Sequence, residues 1–283
     1  MHASCLFKGH SLLNKPIIAR DTGAILGYAQ DVIFDHEQNQ VLAFLVDSRW
    51  RVESRVLPWS GIYAVHIDRI ISHNAAMLTE GMNLLAVRRV FERDNVRQGT
   101  RLILRDGRSL GRVDDIYFDG HGVIEGYATV SRAGSQQPTT RFVPAPRFVR
   151  VESDHAVVAD GGWQAMEERA LARRRLPHAL RLLAAGLWRQ PREPVDEVGL
   201  DAAIQALADE LARAGVHLAE GCRVQTTVLN ESGRIVAIGG AIADERTIER
   251  ARASHRERAL LTAVGADPVG AVLAAMDDRG ARA

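Results

Sequence analysis

Apolar positions in the first 160 residues fall in short alternating runs, parted by polar or glycine-containing turns. In "KPIIARDTGAILGYAQDVIFD" the runs are Ile17-Ile18 and Leu26 to Phe34, with a turn at Asp21-Thr22-Gly23. In "TRLILRDGRSLGRVDDIYFD" they are Leu102 to Leu104 and Leu110 to Phe118, with a turn at Asp106-Gly107. Asp-Gly between two apolar runs signals a hairpin, because that turn needs positive φ. A third run follows each pair, "VLAFLVDS" (41–48) and "VIEGYATVS" (123–131). Next come "SRVLPWSGIYAV" (54–65) and "TRFVPAPRFVRV" (140–151), and last "DRIISH" (68–73) and "DHAVVAD" (154–160). Pro58 and Pro144 cannot donate to a ladder, so each marks a strand end, an edge or a bulge. Five or six short strands in roughly 80 residues predict a small barrel or rolled sheet.

The two sets are a repeat. "LGYAQDVIFD" (26–35) and "LGRVDDIYFD" (110–119) agree at five of ten positions, 84 residues apart. Two copies at that spacing suit two small domains, not a solenoid. The pattern Gly-x-x-x-Asp-φ-x-Phe-Asp, then an aliphatic strand, then a "φ-Pro" strand, resembles the PRC-barrel family over residues 6–80 and 96–161. That fold is known from the cytoplasmic H subunit of photosynthetic reaction centres and from half of a ribosome-maturation factor. The resemblance implies two small PRC-like β-barrels in tandem, over 1–82 and 83–161, with no catalytic constellation. Gly27, Asp31, Phe34 and Asp35, with Gly111, Asp115, Phe118 and Asp119, are then fold determinants. Their carboxylates could instead bind a metal or act as acid and base. Asp31 and Asp35, however, are spaced about 13 Å apart along a strand, and Asp35 and Asp119 stand where a hairpin turns and can cap it.

Beyond residue 161 the period becomes helical. Residues 162–194 read as two helical stretches broken at Pro177, followed by a "QPREP" linker. Six Arg face two Glu between 163 and 189. Arg173, Arg174, Arg175, Arg181, Leu183, Leu187 and Trp188 form a candidate interaction surface. It could pack on the protein itself or on a second copy, lie on a membrane surface, or meet RNA phosphates. Residues 195–283 read as a small α+β domain: a helix over 195–216, a hairpin over 222–242, a helix through "ADERTIERARASHRERALLTAV", and a short Pro-interrupted stretch. The turn "NESG", then Val236, Ile238 and Gly240, a charged helix and "VGADPVGAVL", resemble a BON domain. That resemblance implies a role at a membrane or in oligomerisation.

Composition narrows the function classes. Net charge is +1, which argues against a wholly basic nucleic-acid binder. Of 36 basic residues only Lys8 and Lys15 are lysine, as codon bias in a GC-rich genome produces. Two cysteines, Cys5 and Cys222, make no disulfide framework. No His or Cys spacing matches a zinc site, and no P-loop or Gly-x-Ser-x-Gly occurs. There is no signal-peptide pattern and no run near the ~20 apolar residues of a membrane span. These features predict a cytoplasmic protein, at most peripheral at the inner membrane face, with no cofactor. The expected function is a non-enzymatic scaffold that binds a protein partner. The alternatives are an RNA- or ribosome-associated assembly factor and a small-molecule-binding protein or enzyme.

Overall fold

The computed structural model describes residues 6–46, 53–131, 139–146, 148–159, 180, 183–184, 187 and 200–280. The chain divides into two compact units, Met1–Gly161 and Gly162–Ala283.

The first unit is strand-rich. Its first half holds β1 (Leu6–Lys8), β2 (Pro16–Ala19), β3 (Ile25–Tyr28), β4 (Asp31–Asp35), β5 (Gln40–Leu45), β6 (Arg55–Pro58), β7 (Ile62–Val65), β8 (Ile70–Ser72) and β9 (Thr79–Glu80). A helix, α1 (Leu85–Glu92), follows, which the strand pattern does not announce. Then come β10 (Arg101–Leu104), β11 (Ser109–Asp119), β12 (Ile124–Ser131), β13 (Thr139–Pro144), β14 (Phe148–Val151) and β15 (His155–Val158). Both prolines end their strands, as their missing N–H requires.

The second half repeats the pairings of the first, register by register. β2 runs parallel to β8, with Ile17 opposite Ile70, and β10 runs parallel to β15, with Leu102 opposite Ala156. Leu26 is an extra residue in β3 opposite β2, and Leu110 is the same bulge opposite β10. Leu42 bulges from β5 where Glu125 bulges from β12. Tyr63 bulges from β7 where Val149 bulges from β14. Gly27 and Gly111 follow the first bulge at φ 151° and 104°, a conformation that side chains resist. A Cβ on Gly111 would lie 2.9 Å from the Val130 carbonyl oxygen.

Closed barrels are not found among the described residues. The first-half strands other than β1 form two open sheets, β3-β2-β8-β7 and β4-β5-β6-β9. The second-half strands run β14-β15-β10-β11-β12-β13. Each proline stops the strand that would carry the ladder onward. In the first half the chain also breaks between β3 and β4, where β11 absorbs Asp114 as a bulge and continues.

The two halves join like with like. The tips of β5 and β12 meet at a bridge between Gln40 and Val123, which are counterparts in the repeat. The Val41 N–H donates to the Gly122 carbonyl at 2.8 Å, and the Ile124 N–H to the Asn39 carbonyl at 2.7 Å. Such reciprocity is the mark of an isologous, two-fold interface. The repeated aromatics fill it: Phe34 meets Tyr127 at 6.2 Å, and Trp59 joins Phe44 at 6.2 Å to Phe118 at 5.8 Å. The halves also exchange segments. β1 pairs with the end of β11, with Phe7 opposite Phe118. Val87 and Val90 of α1 pack on Ile33, Ala43, Leu45 and Val56 of the first half.

The second unit contains α2 (Leu200–Gly215), the two-strand hairpin β16 (Val228–Leu229) and β17 (Ile235–Ala237), α3 (Glu245–Ala253), α4 (Glu257–Ala263) and α5 (Pro268–Gly280). Asn230 Oδ1 accepts from the Ser232 and Arg234 N–H groups and shapes the hairpin turn. Two expectations change here. The helix expected through residues 243–264 is two helices. The Arg256 N–H reaches the Ala251 carbonyl and the His255 N–H that of Arg252, with His255 left-handed at φ 51°, which closes α3. The Pro-interrupted stretch is helix α5, because Pro268 stands at its first position, where no N–H is needed. No single helix among the described residues is long and apolar enough to cross a membrane.

A candidate cleft beside strand β4

Among the described residues β4 is an edge strand: all its ladder partners there lie on β5. Beside it runs a cavity of about 420 Å³, lined on one side by Asp31, Val32, Ile33 and Phe34. The other side is Val90 and Phe91 of α1 and the segment 93–98 that leaves it. A smaller cavity, about 80 Å³, continues past Asp31 to His10, Asp114 and Asp115.

Local bonds place these walls. Asp35 Oδ1 accepts from the Glu37 N–H at 2.8 Å and the Gln38 N–H at 3.3 Å, shaping the β4–β5 turn. The same oxygen receives Arg93 Nη2 at 2.6 Å, and Arg93 also reaches Glu37. Asn95 Nδ2 donates to the Phe34 carbonyl at 3.0 Å, and Asn95 Oδ1 meets His36 Nδ1. The segment after α1 is thus pinned to the turn by side chains and leaves room along the strand. Behind the wall Tyr127 is fully buried, and burial raises its hydroxyl pKa. That hydroxyl has no hydrogen-bond partner among the described residues.

The repeated carboxylates face different surroundings. Asp115 Oδ1 accepts from the Ile116 N–H at 2.8 Å and the His10 N–H at 3.0 Å, and Lys8 Nζ lies 3.7 Å from Oδ2. Burial raises its pKa, against those donors. Asp31 likewise accepts from its neighbour, the Val32 N–H, at 2.8 Å, and among the described residues that is its one donor. Its pKa too is raised by desolvation, with the Val32 bond opposing. Asp119 Oδ1 accepts from the His121 and Val123 N–H groups at 2.8 and 2.9 Å, the turn role that Asp35 plays in the first half. The structure therefore brings Asp31 and Asp115 to one line of cavities, leaves Asp35 and Asp119 in turns, and puts Phe34 and Phe118 at the join of the halves.

Of the helical candidate surface, Arg173, Arg174, Arg175, Arg181 and Trp188 lie outside the described residues. Leu183 and Leu187 pack against the core of the second unit beside buried Leu180 and Ala184. A Cβ on Gly215 would come within 3.2 Å of Leu183. Neither leucine is a free surface.

Sequence reasoning missed the far wall of the cleft. Its signal was present in Val87, Val90 and Phe91 at helical spacing, between two stretches read as strands. It also missed a corner where ligand atoms of Glu152, Asp154 and His155 lie within 4.8 Å of one another. There His155 Nδ1 bonds Asp154 at 2.8 Å and holds that carboxyl below its usual range, while the Glu152 N–H donates to the His155 carbonyl. These contacts close the β14–β15 turn.

Comparison with known proteins gives one family: the PRC-barrel domain matches residues 6–78. No curated protein matches the chain.

Proposed function

We propose that the chain is a non-enzymatic scaffold, built on two PRC-like units fused into one two-fold body, that mediates protein–protein interaction. The matched domain, residues 6–78, covers the first half of the strand-rich unit. The second half's kinship with it is our reading of the repeated registers and bulges. One observation carries the functional reading: each repeated carboxylate accepts from backbone N–H groups, at the start of β4 for Asp31, beside the β11 bulge for Asp115 and at a turn for Asp35 and Asp119. What the duplication preserves is a shape, and a rigid shape with open strand edges serves recognition.

The test is capture of partners on the tagged full chain from lysate, in nuclease-treated, detergent-treated and untreated portions, over a salt series. The scaffold reading predicts protein partners that survive nuclease and depend weakly on salt. Loss with nuclease and steep salt dependence would replace it with an RNA-associated role, and loss with detergent alone would place the interaction at a membrane.

A further inference from the structure

The two-fold body is incomplete in one place. In the second half the edge of β11 is covered by β1: Leu6, Phe7 and Lys8 stand opposite Asp119, Phe118 and Tyr117. Phe7 lies 5.9 Å from the Phe118 ring. The incoming chain then turns at Gly9 and presents the His10 N–H to Asp115, with Lys8 beside the same carboxylate. By the offset that matches Ile17 to Leu102, residues 91–93 stand where 6–8 stand, but Phe91 and Glu92 end α1 and Arg93 caps it, so no strand forms there. Among the described residues the edge of β4 has no pairing strand, the Phe34 carbonyl is held by the Asn95 side chain, and Asp31 lacks the second N–H that Asp115 has. The cavity of about 420 Å³ lies along this edge.

We propose that the cleft beside β4 is a strand-docking groove for an extended segment of a partner protein, apolar, aromatic and basic in that order, which pairs antiparallel with β4 as Leu6–Lys8 pairs with β11. This rests on the scaffold reading and names its docking surface. The chemistry of the occupant follows from the walls. Unpaired strand edges recruit strands, with backbone bonds supplying affinity and pockets supplying specificity. Phe34 and Phe91 line the cavity as an aromatic site. Asp31 and Asp94 supply negative charge, while Arg93 is engaged by Asp35 and Glu37, and Arg97, the other lining cation, donates to the Ser153 carbonyl. A lysine or arginine placed as Lys8 is on Asp115 would meet Asp31.

The molecule supplies its own probe, a fluorescein-labelled peptide of residues 4–12, "SCLFKGHSL". Fluorescence anisotropy with the full chain should show saturable binding. Asp31→Arg, whose melting temperature is checked first, should weaken it at least tenfold. So should N-methylation of the peptide's Phe amide, which blocks the ladder and leaves the protein untouched. Amide shifts should centre on residues 31–35 and 90–98. No binding at millimolar peptide overturns the groove, as does binding indifferent to both changes. Shifts centred on 117–119 also overturn it, since the peptide would then be exchanging with β1. If the peptide fails while captured partners still survive nuclease, the groove is wrong and the scaffold stands.

Discussion

Asp31 and Asp115 occupy the same place in the repeat, yet their energetic roles differ. Truncating Asp115 orphans the His10 and Ile116 N–H groups, whereas truncating Asp31 orphans that of Val32 alone. Asp115→Ala should therefore cost about 2 kcal/mol in urea unfolding, and Asp31→Ala about 1 kcal/mol or less. Desolvation raises the pKa of both, and acid titration reads it. Burial raises the Asp115 pKa, so the native state keeps that proton to higher pH than the unfolded chain does. The stability it contributes is fullest below the unfolded value and declines as pH rises through the folded one. Asp115→Asn removes the decline, so the stability difference should move in the variant's favour between about pH 3 and pH 7. Gly111 is set by backbone alone: Gly111→Ala should destabilise by about 1–3 kcal/mol, since it combines φ 104° with a clash against Val130.

Among the elements, what was legible in sequence was local. Asp-Gly turns, period-two alternation and the strand-ending prolines all act within a few residues, so the strands of both halves could be placed. The parallel pairs β2·β8 and β10·β15 join residues more than 50 apart, and no short window records them. Helix α1 has eight residues, too few to stand out between strands, and its helicity comes from Val87 and Val90 packing on β4, β5 and β6. The cleft was illegible for the same reason: Asp31 and Asp115 could be named as repeated carboxylates, but only the fold shows one covered by β1 and the other beside an open edge. In the second unit, Leu183→Asp should destabilise by roughly 2 kcal/mol or more in thermal or urea unfolding, because a carboxylate would replace a leucine packed on Gly215.

At the scale of the whole first unit, the two halves are not beads on a string. The bridge at Gln40 and Val123, the shared aromatics, β1 on β11 and α1 on β4 make each half part of the other's core. The exchange of segments explains why α1 is needed: it covers the first half where a strand covers the second, and in doing so leaves β4 open. The sequence pattern, two domains of about 80 residues, implied that residues 1–82 fold alone. The exchanged segments predict otherwise. The most direct test is urea unfolding of two fragments, residues 1–161 and 1–82, followed by circular dichroism and by the fluorescence of Trp50 and Trp59. The exchanged segments predict a single coincident transition for 1–161 and no cooperative transition for monomeric 1–82. A cooperative, monomeric 1–82, or two separate transitions in 1–161, would contradict it.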